Sequence, residues 1–237
     1  MDNNVETGPG RGRNETPFTF LVVSENELLV QIGIEEEAIF ERLDKAYQKL
    51  DKAKVSLGEQ INKLSQPDTE LNLVAIRVEE IRKVLSDTAS VTREVYGDYN
   101  RIQKELEVNR VNPTKLSLVD NKILKPLGEL VEANFGKFHT TEDAANKLYQ
   151  GLEEDSKAER RPVHTQNALQ TRDQLDSLLL KMREVLDGMF EGVTFNQLLD
   201  LIVSLEREQR QAAQLLLLHH NETVRRLIED LKKPKSK

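Results

Sequence analysis

Few residues in this chain have side chains suited to catalysis or metal binding. The four histidines are His139, His164, His219 and His220, and none of them lies three residues after a glutamate. The repeated Glu-x-x-His motif of di-iron helical bundles is therefore absent. His219 and Glu222 could share one helix face, but two ligands are too few for a catalytic metal site. The sequence thus indicates no metal-binding residue.

An acidic run at Glu35, Glu36 and Glu37 is the other candidate for chemistry. Two neighbouring carboxylates can serve as general acid and general base. The run lies near the start of the predicted first helix, however, where negative side chains compensate the positive end of the helix dipole. We interpret it as helix stabilisation, and the sequence indicates no catalytic residue.

Other short patterns give no binding site either. Gly8, Gly10 and Gly12 loosely imitate a phosphate-binding loop, but no predicted strand precedes them and no helix follows directly. The chain has no cysteine, which excludes disulfides, thiol catalysis and cysteine metal sites without indicating a compartment. No cofactor is expected.

The composition is typical of a protein rich in exposed helix. The chain has 237 residues, of which 38% are hydrophobic, 32% charged and only 5% aromatic. A core built mainly of Leu, Ile, Val and Ala suits packed helices better than a deep ligand pocket. A net charge of −7, with both signs interspersed, offers no general attraction to nucleic acid. No apolar run reaches membrane-spanning length, so the chain as given is expected to be soluble.

The clearest structural signal is a long heptad-like stripe between residues 71 and 106. Its members recur at alternating steps of three and four: Leu71, Val74, Val78, Ile81, Leu85, Thr88, Thr92, Val95, Tyr99, Ile102 and Leu106. This period keeps one face of a helix against a neighbouring helix, whereas a strand would alternate every two residues. The stripe predicts one helix about 54 Å long at about 1.5 Å per residue.

A second long helix precedes this one and is predicted to pack against it. Ser24 and Glu27 form a capping box at its start, and Leu recurs every seven residues from Leu43 to Leu64. Pro67 ends the helix, so the connection is short and the two helices must be antiparallel neighbours. Residues 24–112 are therefore predicted to form a long helical hairpin.

Turn and breaker residues set the other boundaries. Residues 1–16 are predicted to be a disordered tail, and residues 17–23 an extended strap. Residues 113–161 are assigned to shorter helices with a possible hinge in the charged stretch 153–161. Residues 232–237 form a basic tail.

The last third of the chain is predicted to be a second hairpin over residues 162–231. Thr165 could cap its first helix, Gly188 and Gly192 flank the expected turn, and Thr194 with Gln197 could cap its second helix. The buried side of that second helix is predicted to contain Phe195, Leu198, Ile202, Leu205, Ala212, Leu215, Leu216, Leu227 and Leu231. The fold class is therefore all-α: an elongated antiparallel bundle of long coiled-coil-like hairpins with an N-terminal strap.

Three segments of the chain resemble helical regions of large membrane-anchored bacterial envelope proteins. They are residues 99–111, residues 123–131 with Lys125, Pro126 and Leu127, and residues 189–209. The resemblance implies a soluble helical scaffold related to the extracytoplasmic part of such proteins. It implies no catalytic residue.

Three functions remain open at this point. The preferred hypothesis is a non-catalytic helical scaffold or protein-interaction module with protein partners. The alternatives are a helical-bundle enzyme or ligand carrier, and a peripheral membrane or partner-binding module that uses Leu215 to Leu218, Phe18 to Val23 or the basic tail. Membrane contact is expected only through an anchor outside this chain or through a partner. The sequence leaves open whether the chain forms homo-oligomers and whether it lies in the cytoplasm or at the cell envelope.

Overall fold

The protein is an all-α helical bundle. The structure, a computed structural model, describes residues 25–111, 113–133, 136–154 and 161–232. Two long helices, α1 (Glu25–Leu64) and α2 (Leu71–Val108), are followed by the short α3 (Pro113–Leu118). A π-helical turn (Val119–Leu124) then leads into α4 (Lys125–Val131). The last two helices described are α5 (Lys137–Glu154) and the very long α6 (Arg161–Lys232).

Helices α1 and α2 form the antiparallel hairpin that the sequence predicts. All eleven stripe residues of α2 are buried, from Leu71 to Leu106. Glu35, early in α1, pairs with Arg101, late in α2, and Ala46 lines the same surface groove as Thr88. The helix α2 continues through Gly97 without a break. The period of the apolar residues thus identified both the helices and their pairing.

The bundle is completed by α5 and the first half of α6. Helix α6 packs against α1 and α5, and α5 also packs against α2. At the start of α6, the Arg161 guanidinium donates hydrogen bonds to the carbonyl oxygens of Gln66 and Thr69, both at 2.6 Å. This arginine fastens α6 to the turn between α1 and α2.

The predicted C-terminal hairpin is wrong, because α6 runs without interruption through the expected turn. Gly188 and Gly192 are buried in the helix and face the segment that contains α3 and the π-helical turn. A side chain at Gly188 would overlap the carbonyl oxygen of Lys122, and one at Gly192 would lie 3.5 Å from Leu118. Gly188 therefore permits close helix packing, and neither glycine forms a turn.

Pro126 explains why the Lys122 carbonyl lies so close to α6. A proline has no N–H to donate to the carbonyl four residues earlier, and its ring collides with that carbonyl in a regular α-helix. The π-helical turn before α4 relieves this conflict, and Pro126 occupies the first turn of α4. The Lys122 carbonyl then meets Gly188 on α6.

Several predicted features lie outside the described residues. These are the tail at residues 1–16, the strap at 17–23, the Ser24 cap, residues 155–160 of the expected hinge, and residues 233–237 of the basic tail. Within the described part of the chain, no helix combines the length and the apolar character needed to cross a membrane.

Candidate functional site: a buried ion pair and an exposed arm

Glu36 is buried inside the bundle, although the sequence suggested a role at the helix start. Helix α1 begins at Glu25, so the acidic run lies about three turns inside the helix, beyond the reach of the dipole at its end. Glu36 is only 1% exposed and takes a core position between Ile32 and Ile39. The helix-dipole interpretation is therefore wrong.

Lys115 of α3 is the partner of this buried carboxylate. Its Nζ lies 2.6 Å from Glu36 Oε2, and its side chain is fully shielded from solvent. The Gly192 carbonyl oxygen is 3.5 Å from the same ammonium group, which also lies 5.9 Å from the centre of the Phe195 ring. The ion pair thus connects α1, α3 and α6 at one point.

Asn196 of α6 also contacts the Lys115–Glu36 ion pair. Its Nδ2 donates a 2.5 Å hydrogen bond to Glu36 Oε2, so one carboxylate oxygen accepts from both Lys115 and Asn196. Gly33 makes room for this contact, since a Cβ at that position would lie 3.2 Å from the Asn196 side chain. Asn196 is also the last buried residue of α6 among those described.

Three oxygens in this region have no hydrogen-bond partner among the described residues: Glu36 Oε1, Asn196 Oδ1 and the Tyr99 hydroxyl. Burial, together with the charge of Glu36, raises the pKa of Tyr99 well above its usual value. Burial also lowers the pKa of Lys115, because desolvation outweighs the attraction of Glu36. We call Glu36, Tyr99, Lys115 and Asn196 the buried cluster.

The buried cluster is better suited to fixing helix positions than to catalysis. The Lys115 ammonium and the Glu36 carboxylate neutralise each other, and both are shielded from solvent. A substrate would have to displace packed helices to reach them. A buried ion pair is costly unless its geometry is good, and its best-attested role is to select one arrangement of helices. We therefore assign the cluster to the positioning of α6.

Directly after Asn196, α6 leaves the bundle. We call residues 197–232 the arm. Of its side chains described, between 197 and 226, all are exposed except the half-buried Val203. The predicted burial of this segment is therefore wrong for Leu198, Ile202, Leu205, Ala212, Leu215 and Leu216, while the side chains of Leu227 and Leu231 lie outside those described. Without the expected turn, no helix in the described part of the chain covers these residues.

The arm exposes an unusual amount of apolar surface. Eight large aliphatic side chains are between 48% and 70% exposed: Leu198, Leu201, Ile202, Leu205, Leu215, Leu216, Leu217 and Leu218. Burying one such side chain completely is worth about 1.5–3 kcal/mol. Contiguous exposed apolar surface of this kind commonly marks an interaction site.

The histidines named in the sequence analysis do not come together. His139 is exposed, with Nε2 3.6 Å from the Asp143 carboxylate, and His164 is buried against Gly151. On the arm, His219 Nδ1 lies 3.4 Å from the Thr223 hydroxyl. Among the described residues, no group of three or more His, Asp or Glu side chains is placed to hold a metal ion.

A signal for Glu36 was present in the sequence. The core positions of α1, Ile39, Leu43 and Ala46, extend backward in steps of three and four to Glu36 and Ile32. A carboxylate at such a position predicts a buried cation on a neighbouring helix. Which of the chain's lysines or arginines would fill that role was decided only by the fold.

Comparison with protein-family models, curated proteins and solved structures finds no match to this chain. The class that its own features define is an all-α helical bundle with a closed polar cluster and an exposed helical arm.

Proposed function

We propose that this protein is a non-catalytic interaction module in which the bundle holds the arm for a protein partner. One observation carries the proposal: α6 continues beyond the bundle with its large apolar side chains exposed. A helix in water draws most of its stability from packing an apolar face. A partner that covers this face would therefore stabilise the arm while it gains affinity.

The buried cluster supports the same proposal. Asn196 anchors α6 to Glu36 at the last buried position, so the arm starts from a fixed point on the bundle. Gly188 lets the π-helical turn after α3 approach α6 closely just before that point. A rigid base fixes the direction of the arm, and this lowers the entropy cost of binding a partner.

The proposal is tested by photo-crosslinking from single positions in the native cell. A photoreactive residue at Leu205 or Leu216 should give discrete covalent products with protein partners, because both side chains are exposed on the arm. Val55, which is 60% exposed on the bundle surface, is the matched control and should give no such products. Identical products from the arm and from Val55, or none from the arm, would contradict the proposal.

A membrane-binding arm is the main competing outcome. In that case, the photoreactive arm positions would label lipid rather than protein, and the purified chain would bind lipid vesicles through Leu215 to Leu218. The same crosslinking samples, analysed for lipid adducts, separate the two possibilities.

A further inference from the structure

We infer that the arm pairs with the arm of a second copy of this chain, side by side and antiparallel, in a two-fold symmetric dimer. This inference rests on the proposed function and names the partner for it. Three observations support it: the position of the apolar stripe, the distribution of charge along the arm, and the composition of the groove at the arm's base.

Most of the large apolar residues of the arm form a stripe that continues onto the bundle, whereas Leu217 and Leu218 lie on other faces of α6. At about 100° per residue, Phe190, Leu198, Leu201, Leu205 and Leu216 fall within an arc of about 80° on α6. Phe190 is still part of the bundle and is 61% exposed. A second helix lying along this face would therefore contact the arm and reach the bundle at its base.

The charges on the arm favour an antiparallel partner of the same sequence. Residues 197–208 contain three acidic residues and one arginine, a net charge of −2, whereas residues 209–232 contain four basic and three acidic residues, a net charge of +1. An antiparallel copy places the acidic half of one arm beside the basic half of the other. A parallel copy would place like charges together, which opposes association.

The groove at the arm's base suits the far end of a second arm. It is lined by Phe40, Tyr47, Leu186 and Phe190, has a volume of about 240 Å³, and carries the acidic side chains Asp44 and Asp187 beside Arg183. The rings of Phe40 and Phe190 lie 6.4 Å apart and leave an apolar surface between α1 and α6. In the antiparallel pair, with Arg226 of one arm opposite Gln197 of the other, residues 227–232 would extend from that point toward this groove.

The first test is the oligomeric state of the purified full-length chain. Sedimentation equilibrium should give a mass of about twice the 27.1 kDa of one chain. Leu201→Glu combined with Leu205→Glu places charge in the apolar stripe and should weaken dimerisation at least tenfold. Because both leucines are exposed in the single chain, circular dichroism should show an unchanged fold.

The matched control is Leu73→Glu. Leu73 lies on α2, away from the stripe and the groove, and is 59% exposed, so this variant should remain a dimer. A wild-type chain that stays monomeric at high micromolar concentration would overturn the inference. So would a dimer that the Leu201→Glu, Leu205→Glu variant leaves intact.

The second test measures the orientation of the arms. The chain has no cysteine, so Gln197→Cys provides a single site for a nitroxide spin label. Since residues 197 and 226 are about 44 Å apart along a helix, an antiparallel dimer should place the two labels about that far apart. A parallel dimer would place them about 10 Å apart and would overturn the inference.

These tests separate failure of the inference from failure of the proposed function. A monomeric chain whose arm crosslinks to other proteins would refute self-pairing and support the interaction module. A monomeric chain whose arm gives no protein products would refute both.

Discussion

Replacing Lys115 by methionine tests whether the buried cluster fixes the bundle. The substitution keeps a long side chain of similar helix propensity but removes the cation 2.6 Å from Glu36. At an effective dielectric constant of about 20, the attraction across that distance is about 6 kcal/mol, most of it offset by the desolvation of both groups. In the variant, the Glu36 carboxylate stays buried but no longer has a cation to neutralise its charge.

We expect Lys115→Met to lower the free energy of unfolding by about 3–5 kcal/mol, the range measured when one partner of a buried pair is removed. This is a large part of a typical stability of about 5–15 kcal/mol. The double variant Glu36→Met with Lys115→Met should recover most of the loss, because no buried charge remains. It should retain a deficit of about 1 kcal/mol, since Asn196 loses its acceptor. Urea denaturation followed by circular dichroism measures the wild type, Lys115→Met, Glu36→Met and the double variant.

The Lys122–Glu191 pair supplies the control. It also joins the segment after α3 to α6, at 3.3 Å, but its side chains are 58% and 53% exposed. Lys122→Met should therefore cost no more than about 1 kcal/mol. The reasoning is refuted if Lys115→Met is no more destabilising than Lys122→Met, or if the double variant loses the sum of its two single losses.

Three further outcomes follow from the structure. Gly188→Ala should lower the free energy of unfolding by about 1–3 kcal/mol, because its methyl group would meet the Lys122 carbonyl. Gly97 has open space around it, so Gly97→Ala should raise the free energy of unfolding by about 1 kcal/mol. Urea midpoints that shift in the same direction in both variants would contradict this. Tyr99→Phe removes a buried hydroxyl that has no hydrogen-bond partner among the described residues, so the urea midpoint of this variant should be unchanged or higher. A decrease of more than about 1 kcal/mol in its free energy of unfolding would contradict this and indicate that the hydroxyl does make a hydrogen bond. The pKa of Lys115 is lowered in the folded state, so the unfolded chain binds more protons in the pH window just below 10.5. The difference in free energy of unfolding between wild type and Lys115→Met should therefore rise, in favour of wild type, from pH 8 to pH 10. A flat or falling difference would contradict the direction of the pKa shift.

The sequence alone determined the helices and the hairpin of α1 and α2. Each residue of the α2 stripe repeats a local rule, apolar at every third or fourth position, and the short turn at Pro67 permits only an antiparallel neighbour. The positions of the helices and their antiparallel pairing follow from the spacing of residues along the chain, so they can be predicted without knowing how the other helices pack. The same spacing, read back to Glu36, contained the signal for a buried charge.

Only the tertiary structure decided the path of α6. A pair of glycines is compatible both with a turn and with close helix packing, and the choice depends on what lies opposite them. Here, the Lys122 carbonyl, displaced by Pro126 more than sixty residues earlier in the chain, lies against Gly188. The helix is continuous at that contact, and Leu198, Leu205, Leu215 and Leu216, which the sequence assigns to a core, are exposed on the arm. The partner of Glu36 likewise could not be predicted from the sequence. Lys115 lies 79 residues from Glu36 along the chain, and only the packing of α1, α3 and α6 brings the two side chains together.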